Sequence, residues 1–478
     1  MLQAATDFLW SYVLVAVLIG IGLVFTIGSR FVQIRHFGEM FRVLQQAFHR
    51  QPGHVSSFQA LALSVAGRVG AGNIAGVAVA ITLGGPGAVF WMWVIGLVGM
   101  STSYFECTLA QVFKNNEPDG TYRGGPAYYM VRGARKRWLA TLYSVLLLLT
   151  FGMAFVGLQS FTAASSLEDA FGIPALWTGI ALTAVVGISI FGGVKRIASV
   201  TEIVVPVMAV SYIIIAVIVV LLNLDRVPGA LAIIFKGAFG IDEAIGGGIG
   251  AAIMMGAKRG LFSNEAGLGS GPNVAAVAWV PHPVNQGIVQ MLSVFIDTAI
   301  ICSSTAFIII MSDVYIVDGA NAVDGVVMTQ AALQDHVGDW GRGFVSVALM
   351  LFAFSSILYN YYLGENSLNY FSEENKHLFN GFRAAVLALI LWGSVQDLTT
   401  VFAFADLTMA LLALANITAL VILVPVGMRV MRDYEQQRRA GKTPVFNPDN
   451  FPDLDIDRDA WRDAADSVTE KPSQAAAL

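Results

Sequence analysis

The chain has 478 residues, 56% of them hydrophobic and 13% charged, with a formal net charge of −5. Soluble domains carry about a quarter charged residues, so this balance places the chain among polytopic membrane proteins. So small a net charge argues against a nucleic-acid partner, and the two cysteines, Cys107 and Cys302, sit in apolar runs and supply neither a disulfide nor a metal framework.

The first apolar run, near 8–29, follows no basic stretch and precedes no small-residue cleavage site, so it is expected to stay as a span. At about 20 apolar residues per crossing, further spans are expected near 57–82, 87–112, 138–165, 174–191, 199–223, 243–279, 285–312, 341–366, 379–395 and 398–424, about eleven in all. Between the first two, RFVQIRHFGEMFRVLQQAFHR sets Phe31, Ile34, Phe41, Leu44 and Phe48 on one helical face, which predicts an amphipathic helix in the membrane interface. Basic residues stay on the cytoplasmic side of a membrane. Loops with Arg30, Arg35, Arg42 and Arg50, with Lys114, Arg123, Arg132, Arg135, Lys136 and Arg137, and with Lys195 and Arg196 then share that side with Arg429, Arg432, Arg438 and Arg439. The segment from Asp313 to Asp339, which holds Asp318, Asp324 and Asp335 and no Lys or Arg, lies opposite. The N-terminus is therefore expected outside and the C-terminus in the cytoplasm. The polar stretch after Pro425, including EQQRRAGKTPVFNPDN, is expected to be a solvated tail with little fixed structure.

Two spans are interrupted. AGRVGAGNIAGV, at 66–77, puts glycines, an arginine and an asparagine at mid-membrane depth, and AIGGGIGAAIMMGAKRGLFSNEAGLGSGPNVAAVA is again glycine-rich, long and charged. A broken helix in hydrocarbon leaves backbone N–H and C=O groups that need another partner, so a break is expensive unless a ligand or cavity uses it. With the first span set aside, the breaks begin two five-helix halves, 57–223 and 224–424 (its first helix from 243), between an N-terminal part, 1–56, and a tail, 425–478. Five crossings per half reverse the sense of the second half, which makes an inverted repeat, the layout that marks a secondary transporter's binding site. A half-helix N-terminus suits a carboxylate and unwound carbonyls suit a monovalent cation. Close packing of helices is the competing explanation for glycines such as Gly76 and Gly96.

Ionisable groups within spans are costly and usually paired or functional. Arg68 is either a partner in a cytoplasmic gate or a side chain reaching back to the interface. Glu106 is expected near an interface. Asp297 either pairs with Lys258 or Arg259 or lends charge near a cation site, Glu265 is expected to cap the half-helix that follows it, and Asp406 has no assignment. A membrane-embedded enzyme is disfavoured, because His36, His49, His54, His282, His336 and His377 all fall in loops or interfaces and no H-E-x-x-H motif or serine-based constellation occurs at membrane depth. A channel is the remoter alternative, since channels favour repeated short filter loops.

The stretches RVGAGNIAGVAVAITLGGPGAVFWMW, GTYRGGPAYYM, GLFSNEAGLGSGPNVAAVA, HPVNQGIVQMLSVFIDT and FAFSSILYNYYLGENSL resemble the bacterial and archaeal alanine or glycine:cation symporters, in order from about 55 to 425. The resemblance implies an all-α LeuT-type five-plus-five fold in the cell membrane, sodium as coupling ion and small neutral amino acids as substrates, with glutamine carriers and proton coupling as the alternatives; oligomeric state stays open. It assigns the amides of Ala71, Gly72, Asn73 and Ile74 to the substrate carboxylate. Carbonyls of Ala66 and Val69 with the hydroxyls of Ser355 and Ser356 are assigned to sodium, a fitting oxygen set for a hard cation. Phe262 becomes the aromatic wall and Gln159 a polar side chain facing the substrate. Many relatives read ILGW where this chain has Ile357-Leu358-Tyr359-Asn360, so Tyr359 and Asn360 are expected to alter pocket size and polarity.

Overall fold

The computed structural model describes residues 6, 9–48, 53–118, 120–241, 248–315, 325–372, 375–396 and 398–462. Arg50, Asp318, Asp324, the start of the second glycine-rich stretch and the acidic end of the tail lie outside the described residues. Because hydrocarbon offers the backbone no partner, apolar runs close their bonds internally, and nearly all of the described chain is helical. In chain order the helices are α1 (Val15–Gly28, preceded by a π-helical turn, Leu9–Leu14), α2 (Phe37–Ala47), α3 (Ser57–Arg68), α4 (Val77–Gly84), α5 (Gly87–Val112), α6 (Arg137–Phe171), α7 (Ala175–Ile190) and α8 (Gly193–Leu222). There follow α9 (Val227–Ala238), α10 (Gly248–Asn264), α11 (Ser270–Ala275), α12 (Pro283–Ile310), α13 (Val326–Val337), α14 (Asp339–Phe371), α15 (Lys376–Ser394) and α16 (Leu398–Arg439).

Among the described residues, six helices (α5, α6, α8, α12, α14 and the part of α16 from Phe404) are long and apolar enough to cross a membrane, and the bent pair Ser57–Arg68 and Gly72–Gly84 makes a seventh candidate. That pair turns by 50° at its break. The other expected spans are also helical, but α1, α7, α15 and the pair α10/α11 are shorter or more polar. The two broken helices lie at the centre: α5 packs along α10 and α12, α8 along α3, and α6 along α14.

α3 starts in a capping box, in which Ser56 Oγ accepts from Gln59 N at 3.1 Å and Gln59 Oε1 accepts from Ser56 N at 3.0 Å. α12 starts at His282, whose Nδ1 accepts from Val284 N at 3.2 Å while Nε2 faces Asp433 Oδ2 at 3.1 Å. Burial pushes this imidazole below its ordinary value of 6.5, and the hydrogen bond and charge of Asp433 offset only part of the shift. The folded state therefore binds fewer protons here than the unfolded chain, so the stability tied to this group is present above the unfolded value and is lost as pH falls below it. Thermal unfolding in detergent should show that loss setting in as pH falls through the ordinary imidazole value of 6.5, and His282→Asn, which keeps a capping acceptor, should flatten it. Parallel slopes in the two proteins would mean that another group titrates.

The expected amphipathic segment is present but is not one helix: Phe31 takes a left-handed backbone conformation, Ile34 lies on a separate short helix, Val32–Arg35, and α2 begins only at Phe37; Phe31, Ile34, Phe37, Phe41 and Phe48 are exposed, and Leu44 is partly buried. It is fastened to the end of α16, where Arg35 meets Glu435 at 2.6 Å and Arg438 meets Glu39. Burial pushes the Glu39 carboxyl up, but the bond and charge of His36, the charge of Arg438 and the Tyr434 hydroxyl together hold it below its ordinary range. The expectation of a loose tail after Pro425 is overturned as far as Arg462, the last described residue. α16 runs through that proline to Arg439, and Phe446, Phe451 and Trp461 beyond it are buried.

Candidate functional site

The first break is built from residues 69–73. Val69 is extended, and its N–H still bonds to Val65 O at 2.7 Å, so α3 ends there. Asn73 closes the opening: its Oδ1 accepts from Gly70 N at 2.8 Å, and its backbone N–H reaches Gly70 O at 3.2 Å. Its Nδ2 donates to Asp297 Oδ1 at 2.6 Å, so the carboxamide is committed within the protein. Gln159, from α6, approaches from the other side, and its Oε1 accepts from Ala71 N at 3.2 Å. Gly70 is tight: a Cβ there would lie 2.7 Å from Ser356 Oγ and 2.8 Å from Gln159 Nε2. Phe262 stacks on Phe155 at 5.2 Å and crosses the break at Gly72, where a Cβ would come within 3.1 Å of its ring. Ala71, Gly72, Asn73, Ile74, Gln159 and Phe262 thus converge on the first break or line it.

The two serines of α14 separate. Ser356 Oγ donates to Ala66 O at 2.7 Å, placing a hydroxyl and a carbonyl side by side below the break. Ser355 turns away, donating to Phe352 O at 3.0 Å and lying 3.5 Å from Met208 Sδ on α8. The helix geometry is the reason, since neighbouring residues point about 100° apart and only one can face α3. Tyr359 is packed against Gly67, where a Cβ would be 2.3 Å from its ring, and its hydroxyl donates to Glu265 Oε2 at 3.0 Å. Asn360 is buried, and its Nδ2 has no hydrogen-bond partner among the described residues.

The second break uses backbone conformations that the first does not. Glu265, Gly267 and Gly269 all have positive φ, and glycine is the residue that takes this region freely. The expected cap by Glu265 is not formed. Its carboxylate accepts from the hydroxyls of Ser270, at 2.6 Å, and Tyr359. Glu106 instead serves this break: it is fully buried rather than interfacial, its Oε1 accepts from Gly267 N at 3.2 Å and its Oε2 from Asn416 Nδ2 at 3.1 Å. Asn416 also donates to Gly267 O at 2.9 Å and accepts from the Tyr129 hydroxyl. Both freed peptide groups of Gly267 are thereby satisfied by side chains, as hydrocarbon depth demands.

Asp297 joins the two breaks. Its carboxylate accepts from Asn73 Nδ2 of the first break, from Ser263 Oγ of α10 at 3.0 Å and from Thr298 Oγ1 at 2.8 Å. It does not pair with Lys258, which lies 2.8 Å from Asp406 Oδ2 and so gives that residue its partner. Arg68 does not reach for an interface. It is 2% exposed, and its guanidinium donates to Ser103 Oγ at 3.1 Å, to Gln290 O at 3.2 Å and to Ser293 Oγ. Its hydrogen bonds go to neutral groups, and the buried carboxylates Glu106, Glu265 and Asp297 lie near enough to feel its charge without pairing with it. Ser263, Thr298, Ser293, Asn416 and Tyr129 carry this network, and sequence reading missed them. The usable signal was Ser263, adjacent to Phe262 on a helix already recognised as broken.

The chain matches the sodium:alanine symporter family over residues 1–448. It is 47% identical to a protein named probable sodium/glutamine symporter of Bacillus subtilis strain 168, across 93% of this chain and 92% of the relative. It is 39% identical to a sodium/proton-dependent alanine carrier protein of Bacillus sp. strain PS3, across 83% of this chain and 92% of that one. The crystal structure of an Eremococcus coleocola manganese transporter mutant shares the fold, with a TM-score of 0.52 at 15% identity over 77% of this chain and 78% of the other. A multi-pass helical fold around two breaks, full-length matches to amino-acid carriers and the family match agree, and the chain belongs to the sodium:alanine symporter family.

Proposed function

We propose that this protein carries a small neutral amino acid, alanine or glycine, into the cell together with sodium by alternating access. The observation that carries the reading is the convergence of Ser356 Oγ, the Ala66 carbonyl, Gln159 and Phe262 on the first break. Sodium takes hard oxygen ligands, and Ala66 O and Ser356 Oγ, with the carbonyl of Val69 at the opening, would supply them; Ser355, which faces α8, would not. The Phe262 ring, which closes on Gly72, would be the wall that limits the amino acid's side chain, and it has to move aside to admit the substrate. The similarity to a named glutamine symporter supports a second reading, a wider pocket that takes glutamine once Gln159 releases Ala71. In this reading the helices make eleven crossings, α1 stands outside a LeuT-type inverted repeat of five plus five, the N-terminus is outside and the C-terminus is cytoplasmic.

Uptake of labelled alanine, glycine and glutamine by purified protein in liposomes tests this. Alanine or glycine should accumulate only with an inward sodium gradient, and equal accumulation without one would sink the cation assignment. Ser356→Ala removes one ligand, worth about 1.4 kcal/mol, and should raise the sodium concentration for half-maximal uptake about tenfold. An unchanged sodium dependence would take Ser356 out of the site.

A further inference from the structure

The segment after α16 is polar in composition, yet it folds back across the end of the bundle that carries the basic loops. Gly441 turns the chain with φ of 71°, and Gln437 holds the returning strand through two bonds of 2.9 Å to Val445. Phe446 N donates to Pro281 O at 2.9 Å, and its ring packs against Phe451 at 5.2 Å and Trp461 at 4.7 Å. Asp457 accepts from Asn116 N at 3.0 Å, and Asp453 pairs with Arg429 at 2.5 Å. Three buried aromatic rings are a large apolar contact for so short a strap.

What the strap touches is more informative than how tightly it lies. The Lys114 ammonium sits 4.4 Å from the Trp461 ring centre and 3.9 Å from that of Tyr122, and it donates to Ala278 O at 3.3 Å. Ala278 belongs to the exit of the second broken helix and bridges to Val55, whose carbonyl accepts from Trp279 N at 3.0 Å. Val55 leads into α3, the first half of the first broken helix, and His54 beside it stacks on Tyr122 at 5.0 Å. Lys114 therefore stands where the ends of both broken helices meet, and the strap closes over it.

We infer that residues 442–462 form a latch that holds the cytoplasmic ends of the two broken helices together, so that the inward-open state requires its release. This rests on the transport reading above. A segment that contacts only the closed arrangement stabilises that arrangement by whatever its contacts contribute, and weakening it shifts the population towards the open one.

The test reports on opening without substrate or sodium. A cysteine placed at Ser64, buried inside α3, in a background of Cys107→Ala and Cys302→Ala is exposed to a membrane-impermeant thiol reagent in inside-out vesicles. Trp461→Ala, and separately a chain ending at Ala440, should be labelled about fivefold faster or more, by about 1 kcal/mol of population shift. Asp457→Asn, which loses a single bond, should give a smaller rise, and Arg462→Ala, exposed beside Trp461, none. Equal labelling rates across the latch variants would overturn the inference, as would an equal rise in Arg462→Ala. Because wild-type sodium-driven uptake is measured independently, a failed latch and a failed transport assignment give different results.

Discussion

Asp297→Asn should reduce sodium-driven uptake about a hundredfold or more while leaving a folded, monodisperse protein. The carboxylate accepts from Asn73, Ser263 and Thr298, groups that belong respectively to the first broken helix, the first half of the second and α12 itself. An asparagine offers one acceptor oxygen and turns a donor towards partners that are themselves donors. Hydrogen bonds to a charged group contribute about 1.5–3 kcal/mol each, so losing one and leaving another donor unpaired spans the 2.7 kcal/mol or so that a hundredfold effect requires. Uptake by Asp297→Glu should recover part of the loss, because the charge returns although the reach is longer by one methylene. Wild-type uptake in Asp297→Asn would show that the contact between the breaks is only structural padding.

The legible parts of this chain were those whose signal is local. Apolar runs of about 20 residues announce helices because hydrocarbon allows the backbone no other solution, and α3 to α6, α8, α12 and α14 follow the expected runs closely. Gly70, Gly72 and Asn73 announced the first break because small residues beside a polar one are out of place at that depth. What stayed hidden was which distant side chains meet. Lys258 and Asp406 are 148 positions apart, and nothing about spacing could choose Asp406 over Asp297 as the partner of that lysine. Glu106 read as interfacial from its place near the end of a span, but it is drawn into the core by Gly267, whose freed N–H needs an acceptor. The tail was misread for a related reason. Its composition averages to polar, and the aromatic residues Phe446, Phe451 and Trp461 follow no helical or strand period, so their joint burial shows only in three dimensions.

Gly70→Ala should be the most damaging single methyl that can be added to the first break. The new carbon would lie 2.7 Å from the Ser356 hydroxyl and 2.8 Å from the Gln159 amide, closer than carbon and polar atoms ever approach. Both neighbours are also anchored, Ser356 to the Ala66 carbonyl and Gln159 to the Ala71 amide, so relief requires breaking one anchor or shifting α3. Overpacking of this kind amounts to about 1–3 kcal/mol, and because the two anchors belong to the sodium and amino-acid ends of the proposed site, both half-saturation concentrations should rise, each about tenfold or more. Gly76→Ala is the matched control. It sits in the same span, six residues on and also buried, but a Cβ there meets nothing within 4 Å, so its uptake kinetics should stay within about twofold of wild type. If both substitutions are silent, the break is more plastic than its contacts imply. If both are damaging, glycine is needed throughout the span for packing. Only the contrast, Gly70 intolerant and Gly76 tolerant, ties the break to ligand binding, because of these two glycines only Gly70 touches side chains that would face the cation and the substrate.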